Sequence, residues 1–134
     1  MKKFLSLLMI VGVVALAKPV HAQQKAKWQE LDAFHDVMSK TFHPSEEGKL
    51  EPIRSRSAEM LEKALAWKNS TAPEGYDQNA VKKNLKDLVK GAKEINKMVE
   101  DKADDASLKE KLSKLHDTFH QIVEKCEKEE HMQP

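Results

Sequence analysis

A single cysteine, Cys126, leaves the chain no partner for an intramolecular disulfide. The folded state must therefore be held by packing or by something bound. Four glycines in 134 residues are too few to turn a set of β-hairpins. Valine and isoleucine also fall at helical rather than alternating spacing. Neither sign of charge dominates: 23 basic side chains stand against 22 acidic ones, interspersed along the chain. That balance gives no electrostatic footprint for nucleic acid. There is no Gly-rich phosphate loop, no nucleophile with a positioned base and no helix-borne pair of Glu-x-x-His motifs for a di-iron site. The expectation is a protein that is not an enzyme.

The one long apolar run is Phe4 to Ala17, preceded by Lys2 and Lys3. It is short for a membrane span and has the flanks of an export signal. Val20-His21-Ala22 supplies the residues a signal peptidase reads, so cleavage is expected after Ala22. No cysteine lies near the cut, which argues against a lipid anchor. Removing residues 1–22 from the 134 leaves 112, the size of one domain. Lys2, Lys3 and Lys18 go with the signal, leaving 20 basic and 22 acidic side chains. The expected location is the periplasm, with no stable membrane span after cleavage, as a monomer or homodimer.

Residues 23–134 divide into four amphipathic segments. Leu31, Phe34, His35, Met38 and Phe42 follow the i, i+3, i+4, i+7 pattern over about 28–42, and Pro44 is expected to end that helix. Ile53, Met60, Leu61, Ala64 and Leu65 mark a second helix over about 50–68, with Pro52 acceptable in its first turn. Asn69 to Asp77 is the longest loop. Val81, Leu85, Leu88, Ala92, Ile95 and Val99 mark a third helix over about 78–101, N-capped by Asp77. Gly91, unfavourable there by about 1 kcal/mol relative to Ala, suggests the close approach of a neighbour. Ser107-Leu108-Lys109-Glu110 reads as a capping box opening the fourth helix, which carries Leu108, Leu112, Leu115, Phe119, Ile122 and Cys126 to about Glu129. Short links between such helices predict an all-α, antiparallel up-down-up-down four-helix bundle.

In that arrangement the start of the first helix stands level with the end of the last. His35 is then level with His120, His43 with His116, Met38 with His120 and Trp28 with Cys126. At about 100° per residue His35 and Met38 fall inside the apolar stripe and His43 off it. His116 falls at the margin of its stripe and His120 further round than Phe119. His116 and His120 share one helical face, a spacing suited to chelation. Imidazole serves iron, copper, zinc and nickel, and a thioether serves softer ions. Plainer roles stand beside these. His35 could be a hydrogen-bonded core residue, Met38 core filler, Cys126 a small buried hydrophobe and His131 part of the tail. A haem would need one ligand from each side and an apolar slot, which Leu31, Phe34, Phe119 and Ile122 could line.

The pattern Leu112 to Phe119-His120-Gln121 resembles the last helix of the cytochrome b562 family, and the order of signal, helices and links is similar. Cytochromes c-prime carry Cys-x-x-Cys-His at this point; here the span reads His116-Asp117-Thr118-Phe119-His120, which excludes covalent attachment. The resemblance implies non-covalent haem b between His120 and an axial residue of the first helix. That family uses Met there, and matched positions give His35, with Met38 one turn on. It implies electron transfer or haem handling, with a redox protein as partner. Two alternatives come from the residues alone. One is a transition-metal (Cu, Zn or Ni) binding bundle using His35, Met38, His43, His116, His120 or Cys126. The other is a cofactor-free envelope structural or chaperone-like bundle.

Overall fold

The computed structural model describes residues 27–126. The expected export signal, the cleavage point and His131 lie outside the described residues. Four α-helices account for most of the chain: α1 Gln29–Glu46, α2 Glu51–Lys68, α3 Gln78–Glu100 and α4 Asp105–His120. A π-helical turn, Gln121–Lys125, continues α4 to Cys126. There is no strand among the described residues. No described helix is long and apolar enough to cross a membrane.

The ends of the helices follow local chemistry. Pro44 does not end α1, which runs on to Glu46. A proline removes one backbone donor, and in the last turn that loss is small. Nearby, Thr41 donates to the Val37 carbonyl at 2.9 Å and Ser45 to the Phe42 carbonyl at 2.6 Å. The stop is Gly48, at φ +80°. Its N–H bonds to the Ser45 carbonyl at 3.0 Å, and the Lys49 N–H to the Pro44 carbonyl at 2.9 Å. That pair of bonds is a Schellman closure, and its left-handed residue favours glycine. The same closure ends α3, where Lys102 sits at φ 57°. Lys102 N–H bonds to the Val99 carbonyl at 3.1 Å and Ala103 N–H to the Met98 carbonyl at 2.9 Å.

Pro52 lies in the first turn of α2, where its missing donor has no intrahelical role. Asp77 caps α3 as its sequence position predicts, accepting from the Asn79 and Ala80 N–H groups, both at 3.0 Å. The Ser107 capping box is corrected. α4 begins at Asp105, and Asp104 is its N-cap, accepting from the Ser107 N–H at 3.1 Å. The Ser107 hydroxyl donates back to the other Asp104 oxygen at 2.7 Å. An ionised aspartate is acceptor-only and sits three residues ahead of Ser107, so it takes the Ser107 N–H to which Glu110 was expected to reach back.

One continuous core draws on all four helices. α1 touches α2 and α4, α2 touches α3, and α3 touches α4 and the π turn. The α1 and α4 backbones approach each other least closely of the four helix pairs, and rings fill the seam between them. At one end of the core, Trp28 meets Trp67 with centroids 5.6 Å apart and Tyr76 at 5.1 Å. Phe34, Trp67 and Phe119 form a triangle with sides of 5.4, 5.9 and 5.9 Å. The Trp28 indole donates to Ser70 at 2.9 Å, and Ser70 donates to the Trp67 carbonyl at 2.6 Å. Elsewhere Ser57 donates to Asn96 at 2.9 Å, Arg54 to the Ala103 carbonyl at 2.6 Å, and Lys111 pairs with Glu94. Gly91 has the role its position suggests: a Cβ there would stand 2.9 Å from the Leu115 Cδ1.

Candidate metal-binding histidine pair

The last two turns of α4 carry His116 and His120 onto one face. Their Nε2 atoms are 3.1 Å apart, and the rings meet edge to face with centroids at 4.4 Å. Each ring is fixed from behind. His116 lies flat on Phe42 of α1, 3.8 Å between centroids and 7° between planes. The Nδ1 of His120 is 3.0 Å from a carboxylate oxygen of Glu124 in the π turn. A carboxylate only accepts, so Nδ1 carries the proton. In the neutral ring the Nε2 lone pair then faces His116. π turns of this kind are frequent at functional sites, and here the turn carries the carboxylate that orients a ring.

Both rings are half-buried. Burial, and next the neighbouring His120, push the His116 imidazole below its ordinary value; Asp117 and Glu46 oppose this. A neutral imidazole is the form that binds a metal. Two nitrogens at 2.0–2.1 Å from one ion, at angles between square-planar and tetrahedral, stand about 2.9 to 3.4 Å apart. The observed 3.1 Å falls in that interval. The Nε2–Nε2 contact is a hydrogen-bond distance that coincides with the separation of two nitrogens on one ion.

The remaining candidates are placed elsewhere. His35 is exposed and stacks on Phe119 at 5.2 Å and 6°. The stripe reading that turned it inward is corrected. Phe34, Val37, Met38 and Thr41, all wholly buried in α1, share one face of the helical wheel, and His35 stands to one side of it, about 100° round from Phe34. Met38 is 1% exposed within the core. His43 is exposed, one residue beyond the ring on which His116 lies. Cys126 is buried, and the Asn84 amide donates to its Sγ at 3.4 Å. Among the described residues no group of three or more His, Cys, Asp or Glu side chains is disposed around one point as metal ligands.

A haem between α1 and α4 does not fit these residues as they pack. Trp67 fills the place expected for a slot, in ring contact with both Phe34 and Phe119. His35 lies outside the core and Met38 is closed within it. Phe34 and Phe119 are core residues of the aromatic triangle.

No family model, no curated protein and no solved structure matches this chain.

Two residues of the pair's surroundings went unread in the sequence, Glu124 as the partner of His120 and Phe42 as the bed of His116. The signals were there. Glu124 stands four residues after His120, the spacing at which helical side chains meet. Phe42 belongs to the same apolar stripe that marked α1.

Proposed function

We propose that this protein is an exported, up-down-up-down four-helix bundle that binds a divalent transition metal ion through His116 and His120. The observation that carries the reading is the 3.1 Å Nε2–Nε2 separation, with Glu124 orienting one ring and Phe42 supporting the other. A carboxylate on the far nitrogen of a ligating histidine fixes the ring and strengthens it as a donor. Imidazole donors suit Zn2+, Cu2+ and Ni2+, while the softer Met38 and Cys126 are buried away from the pair. A half-exposed site with two protein ligands suits uptake and release of an ion, that is, metal handling in the envelope. The antiparallel course is supported by contacts that join opposite ends of successive helices, Trp28 with Trp67, Ser57 with Asn96 and Glu94 with Lys111. Export is supported by Lys2-Lys3, the run Phe4 to Ala17 and Val20-His21-Ala22.

Calorimetric titration of the untagged protein with Zn2+, Cu2+ and Ni2+ tests the reading. The expected result is saturable binding of one ion per chain, weakened at least tenfold by His116→Ala and by His120→Ala. Binding that neither substitution alters would remove it. So would an ordered one-to-one haemin complex, read by its visible spectrum, in place of metal binding. A second reading, a cofactor-free structural or chaperone-like bundle, is favoured by the aromatic triangle that fills the core with the chain's own side chains. It gains if no ion binds.

A further inference from the structure

We infer that His43 completes the metal site from α1, so that a bound ion clamps α1 to α4. This rests on the reading of His116 and His120 as ligands and extends it to a third residue on a different helix. Two nitrogens leave a tetrahedral or square-planar ion with two open positions. The next imidazole, that of His43, shares Phe42 as a neighbour with the pair. His43 and His116 both contact the ring of Phe42, with centroids 5.7 Å and 3.8 Å from it, so the two imidazoles are no farther apart than the sum of those distances.

The His43 side chain is exposed and enters no hydrogen bond or ion pair found among the described residues. A change of χ1 is therefore opposed by little more than its edge contact with Phe42. The movement required is a rotation of one surface side chain toward a fixed pair. That pair is already braced by Phe42 and Glu124. The place matters as well, since the backbones of α1 and α4 approach each other less closely than those of the other contacting α-helix pairs. A ligand from each side would join two helices that otherwise meet largely through ring contacts. The ion's binding energy would then appear as stability of that seam.

The test is zinc titration and zinc-dependent melting of the full untagged protein against His43→Ala and His43→Gln, with sedimentation at each zinc ratio. Because His43 is exposed, both variants should keep the helical content of the parent. The expected result is a loss of Zn2+ affinity of tenfold or more. The zinc-induced rise in Tm should shrink, and the parent should remain a monomer with one ion per chain. In 15N spectra, zinc should move the imidazole signals of three histidines, His43, His116 and His120. Unchanged affinity in both His43 variants overturns the inference while leaving the two-histidine site intact. A dimer formed at half an equivalent of zinc overturns it too, by assigning the open positions to a second copy. No zinc binding by the parent removes the underlying reading itself, so the two failures are told apart.

Discussion

The ring of His35 lies parallel to that of Phe119, 5.2 Å between centroids and 6° between planes, on the solvent side of the core. The contact shields an otherwise exposed edge of the aromatic cluster. A stacked pair of this kind contributes on the order of 1 kcal/mol. His35→Ala should lower stability by about that amount in urea melts, with metal affinity within twofold of the parent. His35→Tyr, which keeps the stack, should lose little. A tenfold loss of metal affinity in His35→Ala would instead make His35 a ligand.

Gly48 and Lys102 occupy the same position of two matching helix closures, at φ +80° and φ 57°. Only one of them is a glycine. The left-handed conformation is unfavourable by about 1–2 kcal/mol for a residue with a Cβ. Part of that is returned through the freer unfolded chain when glycine replaces another residue, about 0.4–1 kcal/mol. Lys102→Gly should therefore stabilise by somewhat under about 1 kcal/mol, and Gly48→Ala should destabilise by a similar amount. A Cβ at Gly48 would meet nothing within 4 Å, so the loss there is backbone strain alone. Chemical denaturation of the two variants checks the pair, and destabilisation by Lys102→Gly contradicts the closure at α3.

Asp104 accepts from both the N–H and the hydroxyl of Ser107. The hydroxyl bond, then the backbone bond, holds its carboxyl below the usual aspartate value. A depressed value means that the cap's contribution is complete above the unfolded-state pKa and is lost as pH falls through the lower folded one. Asp104→Ala should thus lower Tm at neutral pH by more than Ser107→Ala does. The gap between the parent and Asp104→Asn should close in acid. Equal losses at Asp104 and Ser107 would return the capping role to the serine.

The helices were legible because each carries a buried stripe at helical spacing, and the starts of α2 at Pro52 and α3 at Asp77 are written in residues with one strong local preference. The site was legible only in part. Periodicity placed His116 at the margin of its stripe, where it is found. It turned His35 inward because His35 stands beside Phe34, and a rotation of α1 smaller than the stripe's own width exchanges one for the other. The filling of the space between Phe34 and Phe119 by Trp67 was invisible for another reason. Trp67 sits at the end of α2, and no local pattern says which distant rings will meet it. Pro44 misled because a proline's effect depends on how many turns follow it, and here the helix has two residues left.

Cys126, 1% exposed, closes the described chain, its Sγ accepting a hydrogen bond from Asn84 and its carbonyl accepting from the Asp77 N–H at 2.7 Å. Burial raises the thiol above its ordinary value, against the opposing pull of the Asn84 amide. The folded state therefore resists ionising it. Its contribution is intact below the unfolded thiol pKa and declines as pH rises past that value toward the folded one. Because the thiolate is the reactive form, a thiol reagent at neutral pH should label the native protein far more slowly than the denatured one. Cys126→Ala should flatten the loss of stability between pH 8 and pH 10 relative to the parent. Since the backbone carbonyl that joins the end of the π turn to the cap of α3 is kept, the substitution should also leave the His116–His120 contact untouched. Rapid labelling of the native thiol at neutral pH would place Cys126 at the surface and break this account of how the last turn is anchored.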